Sequence, residues 1–271
     1  MGSAGRSVLI TGGSRGLGLA IAERLAAEGC KVGLLARTGQ QLDDAVSALR
    51  ENGGEAAAFV ADVLDPSSLR RAVGRHRSWA GGLDALICSA GQLKAFGPLA
   101  LADAETWWRD LETSVRGVQL SVREALPGLR RSTGATVAVL VGPGHNGDLP
   151  FATGYGVAQA ALARLVESLG RELAEDRVSV YAVNPGLVLT DLVRPLIDSP
   201  EGRRWLPQFN EAFAEGKEVG PEVVAEMITW LIDRRPAELI GRVVSALLPP
   251  AALETRLERI RSENLGVLRL R

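Results

Sequence analysis

The chain has 271 residues, 46% of them hydrophobic, and carries 31 basic against 32 acidic side chains for a formal net charge of −1. That length suits a single α/β domain, and the charge balance removes the electrostatic case for nucleic acid or an acidic membrane surface, leaving a small molecule as the expected partner. No apolar run approaches the roughly 18 residues of a membrane span, and the start runs into residues 8–10 without the long apolar stretch of a signal peptide, so a soluble cytoplasmic protein is expected.

In chain order, strand-like apolar runs alternate with amphipathic windows. The run 8–11 leads into Thr11-Gly12-Gly13-Ser14-Arg15-Gly16-Leu17-Gly18 and a predicted helix over 17–28. Further strands are expected at 32–36, 57–61, 83–88, 136–141, 178–183 and 243–248, and helices at 40–51, 67–78, 156–174 and 221–233, with one long helix or a pair over 104–130. Seven runs separated by helices imply a parallel sheet covered on both faces. Right-handed crossovers then gather the loops after the strands along one edge, where such sheets bind ligands. Residues 185–219 form an irregular insertion carrying Arg203, Trp205, Phe209 and Phe213, either a lid over a bulky, partly apolar ligand or a packing subdomain. The segment 253–271 repeats Leu253, Leu257 and Ile260 at helical spacing, so a helical tail should dock on its own core or on a neighbouring subunit. Cys30 and Cys88 lie in buried strand contexts without a CxxC pair, which reads as reduced core thiols, and no metal-ligand set is expected.

The glycine turn has the context a dinucleotide requires. It follows a strand and opens a helix, so its glycines permit a tight backbone while free N–H groups at the helix start face a pyrophosphate. Glycines at positions 12, 16 and 18, then Ala90-Gly91 after the fourth strand, Tyr155-Gly-Val-Ala-Gln159, and Asn184-Pro185-Gly186-Leu187-Val188-Leu189-Thr190 after the sixth, together resemble the short-chain dehydrogenase/reductase family over roughly residues 7–248. The resemblance implies a single Rossmann-type domain over 1–271: a doubly wound, seven-stranded parallel sheet with helices on both faces.

It also implies a cofactor site. Gly12, Ser14, Arg15, Gly16, Leu17 and Gly18 would carry the pyrophosphate, Asp62 and Val63 would meet the adenine, and Ala90 and Gly91 would let the cofactor pass. Pro185, Gly186, Val188 and Thr190 would hold the nicotinamide amide, with Tyr155 and Gln159 beside the ribose. NAD-preferring members would have an acidic residue where this chain has Ala36. Arg37 follows it, and an arginine pairs with a 2′-phosphate that a carboxylate would repel. With Arg15 as a second jaw, NADP(H) is the expected cofactor. The other reading of Asp62 is an ordinary cap or turn residue.

The catalytic positions depart from the family. Gln159 stands at the lysine that would hold the ribose and lower the tyrosine pKa. Gly142, thirteen residues before Tyr155, stands at the serine, and Ser114 in Glu112-Thr113-Ser114-Val115-Arg116-Gly117 stands at the asparagine. Only Tyr155 is retained. A free phenol titrates near pH 10, so roughly one molecule in a thousand is phenolate at neutral pH. A lysine ammonium about 4 Å away contributes on the order of 4 kcal/mol at an effective dielectric near 20. Without it, alcohol oxidation should suffer most, while ketone reduction with the neutral phenol as acid should persist about 10²-fold to 10⁴-fold slower.

His145, after the Gly142-Pro143-Gly144 turn, is the candidate replacement acid or base, and Lys94 is the one lysine near the predicted site. Three functions stay open: an NADP(H)-dependent reductase of a carbonyl or conjugated carbonyl, a non-redox cyclase, isomerase or dehydratase, and a non-catalytic partner subunit. The apolar positions Ala161, Leu162, Leu165, Val166 and Leu169, with the helix after Ala104, suggest a homodimer or homotetramer, an expectation that size exclusion tests.

Overall fold

The computed structural model describes residues 4–269. Its strands are β1 (Ser7–Thr11), β2 (Lys31–Ala36), β3 (Glu55–Val60), β4 (Ala85–Cys88), β5 (Ala135–Leu140), β6 (Val178–Asn184) and β7 (Val243–Ser245). They form one all-parallel seven-stranded sheet in the order β3-β2-β1-β4-β5-β6-β7. The doubly wound sheet expected from the alternation is therefore the fold. Because the order reverses between β1 and β4, the loops leaving those two strands diverge to opposite faces and open a crevice at the carboxyl edge.

Side chains alternate across each strand, so β1 feeds both cores: Val8 and Ile10 enter one layer and Leu9 the other. The first layer is closed by α1 (Gly16–Ala27), α2 (Gly39–Glu51) and α10 (Pro221–Arg234), and the second by α3 (Pro66–Ala80), α5 (Gly117–Leu129) and α6 (Thr153–Glu172). Val224, Met227, Ile228 and Leu231 of α10 are fully buried. Each such side chain contributes roughly 1.5–3 kcal/mol relative to exposure.

Several expectations are refined. The 104–130 helix is α4 (Ala104–Leu111) running into α5 through a wide π-type segment, Glu112–Arg116. A π segment inserts one residue into the helical ladder and turns the side chains around it. The α6 helix starts at Thr153, three residues earlier than the periodicity suggests, so Tyr155 lies in its first turn. Leu162 and Val166 of its apolar stripe belong to the core, which accounts for much of the surface read as intersubunit. β7 stops at Ser245 rather than reaching 248.

The insertion is not irregular. It holds α7 (Arg194–Asp198), α8 (Pro200–Trp205) and α9 (Pro207–Ala214), each with proline in its first turn, and Ser199 caps α8 by accepting the Gly202 N–H at 2.9 Å. The tail docks on its own core through Leu253, Leu257 and Ile260, but it is helical only in α11 (Pro250–Glu254) and α12 (Leu257–Ser262). Beyond them the chain returns to β7, where the Val243 N–H donates to Gly266 O at 2.7 Å. Arg242 donates to Leu265 O and Asn264 Oδ1, and Arg269 to Glu167. Cys30 and Cys88 are buried and form no disulfide, and burial pushes both thiols up to about 12.

Candidate active site

A cleft of about 790 Å³ opens at the reversal of strand order. Its end beside β1 and β2 is shaped by backbone. Gly12 has φ +68°, and a Cβ there would lie 2.8 Å from Ala90 N, so the glycine turn and the Ala90-Gly91 loop can approach only without a side chain. Gly18 has an ordinary φ but abuts the Gly12 carbonyl. It is the one predicted cofactor residue that does not line the cleft, because it closes α1 onto the turn from behind.

Ser14, Arg15, Gly16 and Leu17 line this end, as do Asp62, Val63 and Arg37. Arg37, exposed at the end of β2, forms no ion pair among the described residues. Arg15, expected as its companion jaw, instead reaches Asp191 at 3.2 Å across the cleft mouth. Asp62 also holds a turn, its Oδ1 accepting the Leu64 N–H at 2.9 Å.

The loop after β6 enters from the opposite side. Asn184 Oδ1 accepts the Gly186 N–H at 3.0 Å and Gly186 takes φ +74°, which turns Val188 and Thr190 toward the cleft. The Thr190 side chain lies 3.7 Å from where a Cβ on Gly16 would be, so the glycine turn and this loop face each other.

The corner between β5 and α6, by contrast, is made of interlocking side chains. Gln159 is 3% exposed, and its Oε1 accepts the Gly142 N–H at 2.8 Å. A Cβ at position 142 would overlap the Tyr155 hydroxyl and sit 3.1 Å from its Cζ. The tyrosine thus fills the space a serine would occupy, and the glutamine ties down the backbone beneath it. Tyr155 is 8% exposed, and burial, then the Asp110 carboxylate, pushes its phenol above the usual range.

His145 is 9% exposed, lines the cleft, and has Nδ1 2.8 Å from Gly142 O. Gly144 makes that placement possible: at φ +96° it packs so close to α6 that a Cβ would lie 2.6 Å from Gly156 Cα. Trp107 of α4 rests on Gly154 and donates to Thr153 Oγ1 at 2.9 Å, which anchors the start of α6. Lys94 lines the cleft with an exposed side chain.

Ser114 lies in the π segment, 2% exposed, and its Oγ has no hydrogen-bond partner among the described residues. The residue that sequence reasoning missed is Asp110. Fully buried, it accepts from Gln92 Nε2 at 2.9 Å, Lys94 N at 2.9 Å and Ala95 N at 2.8 Å, and so fixes the loop that carries Gly91. Three donors satisfy a carboxylate in place.

Leu149, Leu187, Leu192, Leu196 and Phe209 give the far end of the cleft an apolar wall. Of the insertion aromatics only Phe209 reaches it. Trp205 packs on Phe151 and under Arg204, while Arg203 donates to the Ile197 and Asp198 carbonyls. Among the described residues no helix is long and apolar enough to cross a membrane, and no cluster of metal-ligating side chains occurs.

The profile of the short chain dehydrogenase family matches residues 6–201. Over 264 residues the chain is 31% identical to short chain dehydrogenase mpl6 of Monascus purpureus, spanning 94% of this chain and 85% of that one. L-sorbose reductase from Gluconobacter frateurii, solved with NADPH and L-sorbose, superposes with a TM-score of 0.80 at 29% identity, over 90% of this chain and 96% of that one. Actinorhodin polyketide ketoreductase, solved with NADPH, superposes at 0.79 and 27% identity over 89% and 95%.

Proposed function

The chain belongs to the short-chain dehydrogenase family, and from that premise we propose that it is an NADP(H)-dependent reductase acting on a carbonyl or conjugated carbonyl of a bulky, partly apolar small molecule. The observation that carries the cofactor choice is Arg37, a guanidinium with no ion pair among the described residues, lining the cleft directly after β2, where the sequence places no carboxylate to repel a 2′-phosphate. The residues present fit the dinucleotide. Gly12 and Gly16 leave backbone open beside the first turn of α1, Asp62 keeps one carboxylate oxygen beyond its turn bond, and the Gln159 amide nitrogen remains to donate to a ribose hydroxyl.

When bound, the nicotinamide supplies the hydride. This chain's residues position the carbonyl, exclude water with the apolar wall, and furnish a proton to the oxygen. Two groups at the corner can furnish it, the Tyr155 phenol and the His145 imidazole, both at the cleft surface. The filled serine position also favours a second reading, a non-redox enzyme that uses the same acid while the cofactor serves as scaffold.

Titration with NADPH and NADH, followed by fluorescence or calorimetry, tests the first step. The expected outcome is preferential NADPH binding that weakens at least tenfold in Arg37→Ala, while NADH binding is unchanged. Absence of binding by either nucleotide removes hydride transfer, and product formed without stoichiometric NADPH consumption selects the non-redox reading.

A further inference from the structure

We infer that His145, through Nε2, is the group that protonates the carbonyl oxygen in this enzyme, and that Tyr155 has become a packing residue. The inference rests on the reductase reading and deepens it. A carbonyl oxygen can only accept, so the 2.8 Å contact between Nδ1 and Gly142 O makes Nδ1 the protonated nitrogen. Nε2 then carries the exchangeable site. It has no partner among the described residues, and it is not among the side-chain atoms sealed from solvent. The ring is held by a loop that Gly144 presses against Gly156, so its position is built into the fold rather than left to a flexible surface segment.

Tyr155 lines the same cleft but is placed differently. Its hydroxyl sits in the space that a residue-142 side chain would need, no cation neighbours it among its described interactions, and the buried Asp110 carboxylate disfavours its ionised form. An imidazole ordinarily titrates near 6.5 and a phenol near 10, so the imidazolium is by far the stronger acid at neutral pH.

The step balances. The hydride, with its electron pair, leaves NADPH for the carbonyl carbon, the C=O π pair moves to oxygen, and that oxygen takes the proton from His145 Nε2. The products are the alcohol, NADP⁺ and a neutral imidazole that solvent reprotonates. The Nδ1–H bond to Gly142 persists throughout and stabilises the imidazolium. Asp148 on its own loop, Tyr155 on α6 and Lys94 on the loop after β4 line the cleft together with His145, as do the charged groups Arg15, Arg37, Asp62 and Asp191.

The test uses the full chain with NADPH and whichever of 9,10-phenanthrenequinone, 1-decalone and 2-cyclohexenone is reduced fastest. The expected result is a loss of kcat in His145→Gln of about 10²-fold to 10⁴-fold, with NADPH binding within threefold of wild type, and a smaller loss of kcat in Tyr155→Phe. The pH profile of the wild-type kcat/KM should carry a limb that His145→Gln lacks. Loss of turnover in Tyr155→Phe with His145→Gln active overturns the inference and leaves the reductase reading intact. NADPH binding without oxidation by any of the three carbonyls overturns the reading itself. A measurement independent of turnover covers a variant that fails to fold. The chain has two histidines, so long-range proton–nitrogen NMR resolves each tautomer in the wild type. His145 protonated on Nδ1 supports the inference, and protonation on Nε2 overturns it.

Discussion

The two ends of the cleft are built from different materials. At the β1–β2 end the walls are backbone: Gly12 against Ala90, Gly18 against Gly12. At the β5–α6 corner they are side chains that depend on one another, with Tyr155 in the space above Gly142 and Gln159 holding its N–H. A backbone site tolerates variation in most side chains but not in its glycines. In a side-chain lock a single substitution disturbs the other members, because each is packed or bonded against them. The two histidines repeat the contrast. His145 at the corner leaves one nitrogen open, whereas His76 of α3, beneath β1 and β2, is fully buried against Gly33 and among Phe59 and Trp79. Ser7 Oγ donates to Gly82 O and therefore accepts from His76 Nε2 at 2.8 Å, which leaves His76 Nδ1 without a partner.

The sharpest way to break the comparison is Gly12→Val. A branched side chain at φ +68° against Ala90 N should cost roughly 1–3 kcal/mol in backbone strain alone and abolish NADPH binding in the titration. Retained binding would mean that the turn is not the backbone site described.

Next in size is an acid effect confined to the β1–β3 side. Burial lowers the His76 pKa from 6.5 to about 4. Between those values the unfolded chain binds the proton and the folded chain does not, so stability is full above about pH 6.5 and is lost as pH falls through 4. The loss is about 3 kcal/mol. Urea unfolding at pH 7 and pH 4.5 should show this slope in the wild type and a shallower one in His76→Leu, whatever that variant's stability at pH 7. An unchanged slope would assign the acid sensitivity elsewhere.

Smallest, and most specific to the corner, is the pair Gly142→Ser and Gln159→Lys. The first overpacks Tyr155 at a cost of about 1–3 kcal/mol, and the second leaves the buried Gly142 N–H without its acceptor at about 1–3 kcal/mol. Because both displace the same loop and ring, the double variant should be less destabilised than the two costs added, by at least about 0.5 kcal/mol. Strict additivity in urea melts would show that the corner is not a lock.

The fold was legible because buried parallel strands read as unbroken apolar runs and because the glycine turn sits between a strand and a helix. The substitutions at 142 and 159 were legible as departures from a pattern, but not as partners: sequence distance says nothing about a phenol filling a glycine's vacancy. Asp110 was hidden for a related reason. Among Trp107, Trp108 and Arg109 it reads as part of a polar helix face, and only the folded chain brings residues 92–95 onto its oxygens. The insertion helices did leave signals, Pro195, Pro200 and Pro207 with Ser199 before the second. They are shorter than the windows in which periodicity can be counted.

The return of the tail to β7 has a consequence for how this molecule coexists with its own copies. β7 is the last strand of the sheet, and such a margin ordinarily offers unsatisfied amides on which a foreign strand can template itself. Here Gly266 takes the amide of Val243, and the Arg242 and Arg269 contacts pin the covering segment. Covering this margin with residues 263–269 should discourage edge-to-edge pairing between copies, and a truncation after Ser262 should remove that cover without touching the cleft.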